Sequence, residues 1–166
     1  RIKQSLRHSV RLNRTLLTLA RIESGEVGQS DHIDVVPMIG ELIESLDDVY
    51  SARELSVEVT GSEHLWVDIN ESMLRMVVVN LLKNAYVHAP EHSTIDIRIE
   101  GRSLTVSNRG AESLDADSVF DRFYTKSARE GSTGLGLAIV KSVCDHYGYE
   151  VSYNFDGGYH RFVVRF

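Results

Sequence analysis

The chain has 166 residues, 42% of them hydrophobic and 25% charged, which suits one buried core and does not suit a disordered tail. Eighteen Lys and Arg against 24 Asp and Glu give a net charge of −6, which argues against non-specific attraction to nucleic acid or an anionic membrane. A single cysteine, Cys144, excludes a disulfide framework and a multi-cysteine zinc site; its plainest role is that of a small apolar filler on a helix. No apolar run reaches the about 18 residues of a membrane span, and the chain opens at Arg1 rather than Met, so we expect a piece of a longer protein.

Taken in order, Ile2, Leu6, Val10, Leu12, Leu16, Leu17, Leu19 and Ile22 fall at helical spacing and predict one amphipathic helix up to about Glu23. Its apolar stripe needs a cover, either the rest of the chain or a partner helix in a bundle. A polar, glycine-punctuated stretch from Ser24 to Ser30 reads as a helix stop and linker. Ile33–Val36 predicts a short strand, with Pro37 opening a helix that runs to about Arg53. Ser56–Thr60 and Leu65–Val67 read as strands, and Glu71–Ala89 as a deeply packed helix with apolar residues on more than one face. A hairpin over Ile95–Glu100 and Leu104–Val106 follows, then a knot at Val119–Tyr124 and a loop over Thr125–Thr133. A helix over Leu135–Tyr147 and a hairpin over Val151–Phe155 and Arg161–Phe166, turned at Asp156-Gly157-Gly158, close the chain. This order predicts an α+β, two-layer sandwich with a mixed sheet backed by helices on one face.

Three clusters carry chemistry. Asn80 and Asn84 stand four residues apart inside the most buried helix and so share one face, where an unpartnered amide costs about 1–3 kcal/mol. Neutral carboxamide oxygens suit Mg²⁺, which keeps waters and is completed by substrate phosphates; capping of neighbouring backbone would explain the amides equally well. Second, Gly131-Ser132-Thr133-Gly134-Leu135-Gly136 precedes a helix, so backbone N–H groups there can approach a phosphate. Arg122, Lys126 and Arg129 lie just upstream as the basic cluster an acidic protein needs for a triphosphate, or simply as a solvated loop face. Third, the strand Leu104–Ser107 runs into Asn108-Arg109-Gly110, where Asn108 could read the edge of a base, or merely form a turn.

In this order and spacing, Asn80 to His88, Asn108 to Gly110, Phe120-Asp121-Arg122-Phe123-Tyr124, and Gly131 to Gly136 running into Leu137–Lys141 resemble the N, G1, F and G2 boxes of bacterial sensor histidine kinases. The stretch Leu12–Gly25 resembles the end of the second helix of that family's dimerisation hairpin. The resemblance implies the ATPase fold shared with gyrase and the heat-shock chaperone, with residues 1–25 a remnant of the dimerisation helix, 26–33 a linker and 34–166 the catalytic domain. By matching position it implies Mg²⁺ on Asn80 and Asn84, and ATP held by Asn80, Lys83, Asn84, His88, Asn108, Gly110, Arg122, Phe123, Tyr124, Lys126, Thr133, Gly134, Leu135, Gly136 and Leu137. Gly110 would leave room for the base, and Tyr124–Thr133 would form a lid.

The sequence departs from that pattern where Asn108 replaces the usual Asp, Glu112 the usual second glycine, and Val87 a frequent basic residue. None of the seven histidines is followed by Asp or Glu, so the phosphate acceptor and its acidic general base are expected to be absent and the chain is not expected to phosphorylate itself. The implied function is donation of the γ-phosphate of Mg-ATP to a histidine of the dimerisation domain, with a response regulator receiving it next. A homodimer in the full protein, a cytoplasmic location and a parent anchored in the inner membrane go with this, and nucleic acid does not. The alternative is a degenerate nucleotide-sensing module without phosphotransfer, favoured by Asn108, Glu112 and Val87.

Overall fold

Asp34 decides where the first strand stops and the first core helix starts. In the computed structural model, which describes residues 1–125 and 134–166, strand β1 spans Asp31–Asp34 and helix α2 spans Val35–Val49. The Asp34 carboxylate caps that helix by accepting from Val36 N at 3.2 Å, and it also accepts from Leu65 N at 2.9 Å and pairs with His64 Nδ1 at 2.7 Å. The expected strand at 33–36 and helix start at Pro37 are therefore displaced. Pro37 sits inside the first turn, where its missing N–H has no intrahelical partner to lose. The stretch expected as linker, 26–33, runs into β1 at Asp31. Helix α2 also ends earlier than Arg53, which lies in a separate 3-10 turn, Ser51–Arg53, closed by left-handed Glu54.

Burial pushes the Asp34 carboxyl up, but the hydrogen bonds from Leu65, His64 and Val36 together outweigh it and hold it below its ordinary value. Its contribution is complete above the unfolded-state value of about 3.9 and is lost as pH falls through the lower folded one. Asp34→Ala is expected to cost about 1–2 kcal/mol at neutral pH and to flatten this part of the acid limb, read by thermal melts across the acid range.

The remaining elements are helix α1 (Ile2–Glu23), strands β2 (Ser56–Gly61) and β3 (Trp66–Ile69), helix α3 (Glu71–His88), strands β4 (Thr94–Glu100) and β5 (Ser103–Arg109), helix α4 (Gly136–Tyr147), and strands β6 (Glu150–Asp156) and β7 (Tyr159–Arg165). β1 and β3 form their own antiparallel pair, while the main sheet has the order β2-β4-β5-β7-β6, with β2 parallel to β4 and the other neighbours antiparallel. Residues at alternate positions, Ile95, Ile97 and Ile99 on β4, Leu104 and Val106 on β5, and Phe162 and Val164 on β7, are buried on one side. The β6–β7 hairpin turns on Gly157 and Gly158, both left-handed at φ 58° and 79°, as a two-residue loop between right-twisted strands requires.

Helix α3 lies at the centre, touching α2, α4 and β5 and burying Leu74, Val77, Val78, Leu81, Leu82, Ala85 and Tyr86. Tyr86 is completely buried yet satisfied, because its hydroxyl donates to Asp47 of α2 at 2.6 Å; burial, then that bond and charge, push the phenol well above its ordinary value. Cys144 is buried as expected, and burial pushes its thiol up to about 12, which makes it inert. The stripe of α1 turns out to be divided. Leu19 and Ile22 are buried, with the helix packed on α4, whereas Ile2, Leu6, Val10 and Leu17 are exposed. No helix among the described residues is long and apolar enough to cross a membrane.

Candidate functional site

One helix and the start of another face each other here. Asn80, Asn84 and His88 recur at four-residue spacing on α3 and so share a face. Asn80 Nδ2 donates back to Met76 O at 2.6 Å, which fixes the flip of the carboxamide and turns Oδ1 outward. What it meets is Gly136, the first residue of α4: a Cβ placed there would stand only 2.9 Å from Asn80 Oδ1. The backbone of α4 thus approaches the amide as closely as glycine permits, at the helix end whose N–H groups are orphaned and whose dipole is positive. No side chain caps that end. Asn84 is half-buried, and its carboxamide has no protein partner among the described residues. Lys83 and His88 are exposed along the same helix.

Asn108 lies within β5 rather than in a turn after it. It falls on the buried side of the sheet, is 1% exposed, and donates from Nδ2 to Arg109 O at 3.0 Å. Its Oδ1 accepts from none of the described residues, a buried orphan acceptor of the kind that calls for a ligand or an ordered water. Gly110 N donates to Gly158 O at 3.0 Å, and the space where a Gly110 side chain would stand is filled by the imidazole of His160. His160 is the cross-strand partner of Asn108, and its Nδ1 lies 2.8 Å from Tyr153 Oη, which in turn accepts from Leu114 N at 3.0 Å. Sequence reading passed over both His160 and Tyr153, because only the β5–β7 register places them beside Asn108.

The aromatic knot forms a clasp. Phe123 is left-handed at φ 64° and exposed, its N–H donates to Gly134 O at 2.8 Å, and Gly134 is left-handed at φ 70°. The two ends of the expected lid are therefore joined at their base. Tyr124 is anchored by Asp115 N, which donates to its hydroxyl at 2.9 Å, and Phe120 packs edge-on against Phe162 at 6.1 Å between ring centres. Leu135 is buried and Leu137 partly so. Arg122 pairs with Glu23 at the end of α1. Lys126 and Thr133, with Arg129 and Gly131, lie outside the described residues. Among the described residues no cluster of three or more His, Cys, Asp or Glu could hold a metal.

The profile of the family described as "Histidine kinase-, DNA gyrase B-, and HSP90-like ATPase" matches residues 69–166. The fold, the site and this match place the chain in that family. Within it, the chain is a catalytic ATP-binding domain of the histidine-kinase kind. It is 31% identical over 144 residues to the heme sensor protein HssS of Staphylococcus epidermidis, covering 82% of this chain and 32% of that protein. It is 28% identical over 155 residues to the sensor histidine kinase WalK of Bacillus subtilis, covering 86% and 25%. The chain therefore spans about a third or less of the length of these curated relatives. The solved structure of the Acinetobacter baumannii histidine kinase AdeS shares the fold, with a TM-score of 0.75 at 19% identity over 94% of this chain and 76% of that one.

Proposed function

We propose that the chain binds Mg-ATP between α3 and the N-terminus of α4 and presents the γ-phosphate to a histidine elsewhere in the parent protein. The observation that carries this is Asn80 Oδ1, freed by the Nδ2–Met76 bond and turned onto the first residue of α4. Two half-buried carboxamides on one helix face fit a hard cation completed by phosphates and water. Bound there, Mg²⁺ would neutralise phosphate charge, with Asn80 and Asn84 holding it. The orphan N–H groups of α4 would take phosphate oxygens, and the buried Asn108 Oδ1 would accept from the adenine amino group, without the charge assistance an Asp provides.

An imidazole nitrogen of the acceptor would then attack the γ-phosphorus and ADP would leave, the domain contributing position and electrostatics rather than a covalent group. Residues 1–25 are read as the end of the dimerisation helix and 34–166 as the catalytic domain, cytoplasmic within a membrane-anchored, homodimeric parent that serves a response regulator. The sensor-kinase relatives and the half-exposed stripe of α1 support that reading.

Calorimetry with a non-hydrolysable ATP analogue is expected to show one site per chain whose affinity drops when Mg²⁺ is withdrawn. With ATP and a separately made acceptor hairpin, acid-labile phosphate should appear on the hairpin and not on this chain. Absence of nucleotide binding would remove the proposal, and phosphohistidine on this chain alone would remove its account of the acceptor.

A further inference from the structure

Helix α3 is closed at its C-terminal end by a side chain from outside the helix. Its C-cap, Ala89, is extended at φ −61° and ψ 139° and is followed by Pro90, which has no N–H, so the glycine-type cap that returns donors to a last turn cannot form. The donors come instead from Arg53, far away in sequence. Its Nη1 donates to Tyr86 O and, at 2.6 Å, to Val87 O, while its Nη2 donates to Ala89 O at 2.5 Å. These carbonyls bracket His88 and close the turn that follows Asn84. The guanidinium also sets a cation against the negative end of the helix.

The turn that delivers Arg53 is strained. Glu54 and His92, neither of them glycine, are left-handed at φ 50° and 64°. His92 N donates to Arg53 O at 3.1 Å, and His92 Nδ1 lies 2.8 Å from Glu54 Oε2, so two strained residues frame the arginine from both sides. Strain of this kind costs about 1–3 kcal/mol per residue and persists where surrounding contacts over-determine it, commonly around functional sites.

We propose that Arg53 is a positioning residue for the bound nucleotide. By holding the end of α3 it fixes the register of that helix, so that the Asn80 carboxamide stands at a set depth opposite Gly136, with Asn84 one turn further on the same face. This rests on the reading of α3 as the metal and phosphate wall. Tyr86 supplies the comparison, because its hydroxyl ties the same turn to Asp47 without touching the terminal carbonyls.

The experiment titrates wild type, Arg53→Ala, Arg53→Lys and Tyr86→Phe with a non-hydrolysable ATP analogue, with and without Mg²⁺, beside a thermal melt of each. Arg53→Ala is expected to lose about tenfold or more of the affinity gained from Mg²⁺, because small misplacements of liganding groups are costly, and Arg53→Lys to recover part of it. Tyr86→Phe should melt earlier and keep that gain. Should Arg53→Ala fail to fold, Arg53→Lys carries the comparison alone: a selective loss of the Mg²⁺ gain supports the role, and wild-type behaviour overturns it. An arginine variant that binds like wild type, or that loses affinity no more selectively than Tyr86→Phe, overturns the inference and leaves the site reading standing. Wild type that binds no nucleotide overturns both.

Discussion

Replacing Asn80 with alanine is expected to weaken binding of a magnesium–nucleotide complex about 100-fold, or about 2.8 kcal/mol, while the melting temperature stays level or rises slightly. The two halves have separate causes. Alanine is a better helix former than asparagine, and the Nδ2 bond to Met76 O is a local back-bond that competes with the helix rather than supporting it. The lost Oδ1, by contrast, is the oxygen turned toward the first residue of α4. Calorimetry and a thermal melt on the same preparation check both halves. Affinity equal to wild type would remove Asn80 from the metal assignment, and a collapse of the melt would make the residue a structural one.

Gly134→Ala is expected to act on the clasp. At φ 70° an L-residue costs about 1–2 kcal/mol, and the new Cβ would stand 2.7 Å from Phe123 Cα, a backbone atom that cannot swing aside as a side-chain tip can. The hydrogen bond from Phe123 N to Gly134 O at 2.8 Å must then open or both residues must shift. For a chain of this size the melting temperature should fall by roughly 2–8 °C. Nucleotide affinity should fall about tenfold or more, because the clasp sits one residue before the buried Leu135 that leads α4 into the site. A variant that melts earlier but binds at full strength would show that the clasp serves the fold alone.

Much of the core was legible because it is local. The four-residue spacing of Asn80 and Asn84, the more-than-one-sided burial of α3, and the two-glycine turn at 157–158 each depend on residues within a turn or two of one another, where helical and strand periods act directly. Boundaries were harder. Asp34 stops β1 and starts α2 only because Leu65 N and His64, some thirty residues away, help hold its carboxylate in place. For Asn108 the sequence left open a base-reading side chain and a turn, because Asn-x-Gly so often forms one, and pairing with His160 across the sheet placed it inside β5.

The sequence by itself determined the order of elements, the amide pair on α3 and the glycines that let α4 and the clasp come close, since these follow from chain chirality, side-chain period and steric allowance. Tertiary structure alone decided which atoms meet: Asn80 Oδ1 against Gly136, His160 over Gly110, Arg122 on Glu23, Arg53 on the end of α3, and the split of α1 into a docked and an exposed half. Each of these joins residues well separated along the chain. Such contacts form only when burial of the shared core offsets the entropy of closing the intervening loops, a balance no local pattern encodes.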